Sequence, residues 1–282
     1  MKITRTVEKT REQIKAWKRE GLSIGFVPTM GFLHEGHQSL MQRSILENDK
    51  TVVSIFINPM QFENKDDFSN YPINPHADMT ICDDAGVDLI FSPTVDEMYK
   101  KDFFTFVDMS KITEELCGKN RPNHFRGVCT VVTKLFNMVA PDRAYFGEKD
   151  AQQLVVVKQM VKDLNMDLEV IGCPTVREPD GLAMSSRNAR LHPEERQAAV
   201  ILSKAIFKGK ELAESGERNP KKIIEAMKAI LETEPLATIE HIDIVDGITI
   251  QKTEVLRGPI LCQAVIHIGG IRLIDNFMCD LS

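Results

Sequence analysis

The 282-residue chain has no apolar run that approaches the roughly 20 residues a membrane-spanning helix needs, which argues against a membrane protein. Its first residues, MKITRTVEKT, lack the apolar core of a secretory leader. The six cysteines, Cys82, Cys117, Cys129, Cys173, Cys262 and Cys279, include no CxxC pair, and several stand in apolar runs. That usage argues against a disulfide framework or a zinc site, and for buried, reduced thiols in a cytoplasmic protein. Basic residues are not in surplus. A net charge of −6 argues against a broad nucleic-acid-binding surface, while a local basic pocket stays compatible with it. Neither GxGxxG nor GxxxxGK(S/T) occurs, which lowers the expectation of a dinucleotide or P-loop enzyme, and HExxH is missing too. There are no internal repeats or low-complexity tracts. At this length two domains are expected, burying roughly three-quarters of the unfolded surface.

What is present is an alternation of strands and helices. LSIGFVPT (22–29) is a short apolar run closed by proline, HQSLMQRSILEN has helical spacing, and TVVSIFIN (51–58) is β-branched. Strand, loop, helix and strand in so short a span form a βαβ unit, with parallel strands and a right-handed crossover. The pattern repeats. NPHADMTICDDAG has Pro75 early and Gly86 late, as a helix does, and precedes the strand VDLIF. GVCTVVTKLFNMV and KDAQQLVVVKQMVKDL read as helices, RAYF and LEVIGC as strands. After about residue 175 the texture changes: REPDGLAMSSRNARL is polar and loop-like, helices follow from about Pro193 and Asn219, and IEHIDIVD, PILCQAVIHI and IRLIDNFM resemble a small antiparallel sheet. The expectation is an α/β parallel-sheet domain over 1–175 and a smaller α+β domain over 176–282.

Open parallel sheets bind ligands beyond the carboxyl ends of their strands. PTMGFLHEGHQSL sets His34 and His37 at such an end, beside Gly36. A helix N-terminus attracts phosphate, and imidazoles held there can donate to the same oxygens; a protonated one adds charge where it builds up during attack on phosphorus. Metal binding and a plain surface turn are competing readings of the pair. In RAYFGEKDAQQL a helix beginning near Glu148 puts Lys149 in its first turn, where the macrodipole disfavours a cation by about 0.3–1 kcal/mol. A bound anion reverses that sign, and Gln153 lies four residues on, on the same face. A solvated Lys149 paired with Glu148 or Asp150 is the alternative. GLAMSSRN offers the hydroxyls of Ser185 and Ser186 and the guanidinium of Arg187 to phosphate oxygens, or is a linker in which Ser186 or Asn188 caps a turn. In FINPMQF, Gln61 offers an uncharged amide to a hydroxyl or carboxylate, or is structural. Together these residues suit a polyphosphate held without a P-loop.

PTMGFLHEGH, NPMQF, RPNHFRGV, YFGEKDAQQL and VREPDGLAMSSRN, in this order and spacing, resemble the pantoate–β-alanine ligases (pantothenate synthetases) over nearly the whole chain. The resemblance implies a Rossmann-like nucleotidyltransferase domain of the HxGH type, followed by an α+β domain that forms the active-site lid. It implies ATP as substrate with Mg2+, a cytoplasmic homodimer, and two half-reactions. Pantoate attacks the α-phosphate of ATP to give pantoyl adenylate and pyrophosphate; β-alanine then attacks the acyl carbon to give pantothenate and AMP. It also implies residue roles. Met30, Gly31, Phe32, Leu33, His34, Glu35, Gly36 and His37 form the ATP-binding loop, with His37 as proton donor and His34 and Lys149 beside it in catalysis. Gly147, Glu148, Lys149 and Asp150 hold the nucleotide, Val176 meets adenine through its backbone, and Met184, Ser185, Ser186 and Arg187 close over the triphosphate. Gln61 and Gln153 grip pantoate. Where the family often has Tyr-Pro-Arg this chain has Tyr71-Pro72-Ile73, and where acidic residues often follow it has His76 and Ala77 before Asp78, so the metal ligands stay unassigned. The rivals are a nucleotidyltransferase with a phosphate acceptor and a nucleotide-binding protein without turnover. The neutral Gln61 and Gln153 favour a mono-acid acceptor, and the intact set of His34, His37, Lys149 and Arg187 favours catalysis.

Overall fold

Two apolar runs flank the paired histidines, and both form strands whose side chains are mostly buried on either face. The computed structural model describes residues 1–63 and 65–282. In chain order come β1 (Lys2–Thr4), α1 (Val7–Arg19), β2 (Ile24–Thr29), α2 (Glu35–Glu47), β3 (Lys50–Ile55), α3 (Lys65–Ser69), α4 (Pro75–Ala85), β4 (Leu89–Phe91) and α5 (Val95–Met98). Then follow α6 (Leu116–Asn120), α7 (His124–Val139), β5 (Arg143–Gly147), α8 (Ala151–Asp163), β6 (Glu169–Cys173), α9 (Pro193–Ala198), α10 (Val200–Glu214), α11 (Pro220–Leu231), β7 (Ala237–Asp246), β8 (Pro259–Ile268) and β9 (Ile271–Asp280). The chain divides into two compact units, one of Met1–Met109, Arg121–Glu148 and Val156–Pro174, the other of Ser110–Asn120, Lys149–Val155 and Thr175–Ser282.

The first unit is built on a sheet of order β1-β4-β3-β2-β5-β6 with every neighbouring pair parallel. Side chains alternate across it. Val27, Val53, Ile90 and Tyr145 join Leu40, Met41 and Cys82 in one buried cluster. Phe26 faces the other way and meets Phe136 of α7 edge-on, with ring centroids 6.3 Å apart. Burial on both faces is why these strands are nearly continuous apolar runs. The chain's winding reverses between β2 and β5, since β3 and β4 lie on one side and β6 on the other. Such a reversal opens a crevice at the carboxyl ends of the two strands. The boundaries expected for α4 hold: Asn74 caps it, Pro75 opens it, and Gly86 closes it at φ 88°. Sequence reasoning passes over β1 and α1, although the buried residues of α1, Thr10, Ile14 and Trp17, stand at helical spacing.

In the second unit β7, β8 and β9 form an antiparallel sheet. Leu202, Ile206, Ile223 and Met227 of α10 and α11 pack with Ile244, Cys262 and Leu273 on one face. Leu116 and Ala151 pack with Val245 and Leu261 on the other. The helix expected from Pro193 is interrupted at Ala199, which separates α9 from α10. The polar stretch after 175 is not a plain loop. Arg177 bridges Ala183 in antiparallel fashion, Met184 N donates to the Val176 carbonyl at 3.0 Å, and Gly181 turns at φ 94°. Pro179-Asp180-Gly181 is the turn signal for this hairpin.

Glu240 sits at a bulge in β7, between the pairs Ile239–Ile266 and His241–Val265. The extra residue re-aims the side chain. Arg272 donates to its two oxygens at 2.8 and 2.9 Å, and His267 Nε2 lies 2.8 Å from Oε2. Burial alone would push the Glu240 carboxyl up, but hydrogen bonds from His241, Arg272 and His267 and the Arg272 charge hold it well below the usual carboxylate range. Stability from a carboxylate depressed in this way is complete above the unfolded value of about 4.3 and is lost as the pH falls through it towards the folded value. Glu240→Gln is expected to lower the thermal midpoint at pH 7 by about 4 °C. It should also flatten the decline between about pH 5 and 3. Calorimetry across that range checks this; parallel declines in the two proteins would contradict it.

Candidate active site

The loop from β2 to α2 turns sharply. Thr29 Oγ1 donates to the Ser54 carbonyl at 2.7 Å and accepts from Gly31 N at 3.2 Å. Gly31 and Phe32 then adopt left-handed backbone at φ 83° and 50°, a conformation that costs a non-glycine residue about 1–2 kcal/mol. The buried Asp78 of α4 offsets this: its carboxylate accepts from Phe32 N at 3.0 Å and from Leu33 N at 2.7 Å. A Cβ at position 31 would come within 2.9 Å of Asp78 Oδ2, so glycine is required there twice over. Asp78 carries no mark in the sequence, since its partners lie 45 and 46 residues away. The departure at Ile73 stands on an exposed position, and His76 is exposed as well.

His34 is the N-cap of α2 and His37 its third residue. Gly36 N donates to His34 Nδ1 at 3.1 Å, and His34 N donates to His37 Nδ1 at 3.3 Å, with the ring centroids 4.1 Å apart. The spacing is that of a capping box, with imidazoles in place of the usual hydroxyl and carboxylate. Because each Nδ1 accepts, each neutral ring carries its proton on Nε2. The helix terminus thus orients two N–H donors at a place already suited to anions.

Gln61 ends a 3-10 turn (Pro59–Gln61) beyond β3, the neighbour of β2. Its side chain is aimed by the buried Asn58, whose Nδ2 donates to Gln61 Oε1 at 2.9 Å and to the Gly127 carbonyl at 3.1 Å. Asn58 Oδ1 in turn accepts from Tyr99 Oη at 2.8 Å and Met60 N at 3.3 Å. With Oε1 engaged, Gln61 offers its Nε2 hydrogens, which suit a carboxylate or hydroxyl oxygen. Arg121 Nη2 at 3.1 Å and His124 Nδ1 at 2.9 Å donate to the Gln61 carbonyl, so RPNHFRGV wraps the NPMQF turn. Sequence reasoning misses Asn58, although an Asn before Pro is a turn signal.

Met30 to His37, Gln61, Gly147 and Glu148 all lie in the first unit, at the carboxyl ends of the neighbouring strands β2, β3 and β5. Gly147 is the last residue of β5, and a Cβ there would meet no protein atom within 4 Å.

Lys149, Asp150, Gln153, Val176 and Met184 to Arg187 lie in the second unit. Glu148–Asp150 is a 3-10 turn before α8 instead of its first α-helical turn. Lys149 Nζ is 3.5 Å from Asp150 Oδ1, so the ion pair of the plainer reading is present. Gln153 is half-buried, whereas its neighbour Gln152 is buried and structural: it donates to the Ile112 and Glu115 carbonyls and accepts from Cys117 N. Ser185 Oγ caps a 3-10 turn (Ser186–Arg190) by accepting from Arg187 N at 3.3 Å. Asn188 Nδ2 donates to the Ala183 carbonyl at 3.1 Å. Among the described residues no group of three or more His, Cys, Asp or Glu stands ready to hold a metal ion.

A parallel sheet with an imidazole-capped helix at its switch point, followed by an antiparallel α+β unit, is the architecture of a Rossmann-like nucleotidyltransferase of the HxGH type. The chain belongs to the pantoate–β-alanine ligase family: a sequence model described as Pantoate-beta-alanine ligase matches residues 2–278. It is 54% identical to a pantothenate synthetase of Ruminiclostridium cellulolyticum over 98% of each chain. It is 52% identical to that of Clostridium acetobutylicum over the full length of both. Among solved structures it resembles pantothenate synthetase from Thermus thermophilus, with TM-score 0.92 and 42% identity over 98% of this chain and 99% of that one. It also resembles the pantoate–β-alanine ligase of Francisella tularensis complexed with β,γ-ATP and β-alanine, with TM-score 0.82 and 34% identity over 99% of this chain and 97% of that one.

Proposed function

We propose that this chain condenses (R)-pantoate with β-alanine at the expense of ATP, giving pantothenate, AMP and pyrophosphate. The observation that carries the reading is the His34/His37 capping box at the switch point of the sheet, in a chain of this family. In the first half-reaction a pantoate carboxylate oxygen bonds to the α-phosphorus, and the bond from that phosphorus to the leaving pyrophosphate breaks. In the second the β-alanine amine bonds to the acyl carbon, loses a proton and displaces AMP.

The obstacle in the first step is that an anion must attack a polyanion. The Nε2 hydrogens of His34 and His37, the Lys149 ammonium and the Arg187 guanidinium answer it by stabilising charge as it moves onto pyrophosphate. Gly147, Glu148 and Asp150 contact the nucleotide, Val176 meets adenine, and Met184 to Arg187 close over the triphosphate, with residues 176–282 as the lid that keeps water from the adenylate. Gln61 and Gln153 orient pantoate through neutral amides, leaving its carboxylate nucleophilic. Magnesium enters as Mg·ATP. That suits a chain whose described residues form no protein-only metal cage, because Mg2+ is commonly held by phosphates, waters and one or two carboxylates. The protein works as a cytoplasmic homodimer, and its six cysteines, none joined in a disulfide, fit a reducing compartment.

The test is ATP–pyrophosphate exchange with magnesium and pantoate but no β-alanine. Exchange that requires pantoate is expected. Exchange without pantoate, or only with a phosphorylated acceptor, would contradict the assignment.

A further inference from the structure

Adjacent residues of a strand point to opposite faces of its sheet. On β9 two such neighbours, Asp275 and Asn276, are both polar and both buried, with relative exposures of 0% and 6%. Buried polar side chains persist where each meets partners that repay its desolvation, so their partners are informative.

Asp275 faces α10. It receives Arg177 through two parallel bonds, Nη1 to Oδ2 at 2.7 Å and Nη2 to Oδ1 at 2.9 Å. Arg177 Nη1 also donates to the Gly181 carbonyl at 3.0 Å, and the guanidinium lies over the Phe207 ring of α10 at 4.9 Å. One ion pair therefore ties the stem and the turn of the 176–184 hairpin to the sheet, and Met184 to Arg187 continue directly from that hairpin. Asn276 faces the other way, and its Nδ2 donates to the Lys149 carbonyl at 2.7 Å. That bond fixes the backbone of the 3-10 turn from which the Lys149 ammonium projects.

We infer that Asp275 and Asn276 are positioning residues for the adenylation step, holding from the two faces of one strand the two segments of the second unit that carry Lys149 and Met184–Arg187. The pleat of β9 sets the separation of these segments, because a strand paired along its length cannot slip by one residue without exchanging its faces. The inference rests on the proposed roles of Lys149 and Arg187. A carbonyl anchored at the sheet restrains an ammonium several bonds away, and a misplacement of about 1 Å can cost about 100-fold in rate.

The experiment compares the full-length wild type with N276A, K149A and the double variant in pantoate-dependent ATP–pyrophosphate exchange, and follows amide hydrogen exchange in N276A and D275N. N276A is expected to lose about 100-fold in the exchange rate at saturation, with the KM for pantoate unchanged. The double variant should be no slower than K149A, since Asn276 acts through Lys149. A loss that multiplies with that of K149A would overturn the inference, because a general structural defect behaves that way. Protection should fall at residues 147–151 in N276A and at 177–184 in D275N, with β8 unchanged. Unaltered protection at both segments would overturn the bracing whatever the enzyme's substrate. A wild type that is silent in exchange while protection falls as stated would support the bracing and overturn only the assigned reaction. Should D275N not fold, R177K serves instead: it keeps the charge but loses the paired bonds to Asp275, and the same loss of protection at 177–184 is expected.

Discussion

His37→Ala is expected to lower pantoate-dependent pyrophosphate exchange by about 10²- to 10³-fold, the loss seen when one preorganised donor is taken from a developing anion. ATP affinity should stay unchanged, since the remaining loop and the helix terminus still meet the ground-state phosphates. The capping geometry supplies a control that separates chemistry from folding. His37 Nδ1 accepts the His34 backbone N–H, and glutamine at the same helical position is a capping-box acceptor in its own right. His37→Gln should therefore keep the thermal midpoint of the wild type and still lose most of the exchange rate. His37→Ala should lose both, the cap being worth about 1 kcal/mol. Equal losses in rate and in ATP affinity would remove the transition-state role. Full activity in His37→Gln would reduce His37 to a helix cap.

Gly127→Ala is expected to cripple the enzyme through Gln61, because the added Cβ meets the backbone of the Met60–Gln61 turn. A Cβ at Gly127 would stand 2.4 Å from the Met60 carbonyl oxygen and 2.7 Å from Gln61 N. Both are backbone atoms of a turn also held by Asn58, Arg121 and His124, so neither side yields cheaply. Overpacking of this kind costs about 1–3 kcal/mol, and the turn must shift to relieve it. The efficiency for pantoate, kcat/KM, is expected to fall by about 100-fold. ATP binding, measured by calorimetry, should be unchanged. A variant that loses ATP and pantoate affinity alike would show that the clash spreads beyond the turn, and an unaffected KM for pantoate would detach Gln61 from that substrate.

The parallel sheet is legible in the sequence because its strands are buried on both faces. Runs such as IGFVPT and TVVSI stand out against amphipathic helices, and Pro75 and Gly86 mark the ends of α4 through local backbone chemistry. The antiparallel sheet is legible for the same reason. Among the elements that escape are α1, although its buried Thr10, Ile14 and Trp17 keep helical spacing, and the hairpin at 176–184, whose few backbone bonds and distant ion pair leave no periodic pattern. The position of Lys149 reads as helical from its neighbours, but a 3-10 turn stands there.

By itself the sequence determined the α/β class, the approximate places of most of the longer helices and of every strand but β1, and the motifs at strand ends. These depend on residue type and on spacings of a few positions. What only the tertiary structure decided was how those motifs are held. Asp78 reaches Phe32 and Leu33 across 45 or more residues, Asn58 meets Gly127 across 69, and Asn276 meets Lys149 across 127. Such pairs leave no periodic trace, because a buried carboxylate or amide selects its partner by geometry and desolvation once the chain has folded. The histidines join the two kinds of information: their spacing is visible in the sequence, but that they cap a helix, and so each carry the proton on Nε2, follows from coordinates alone.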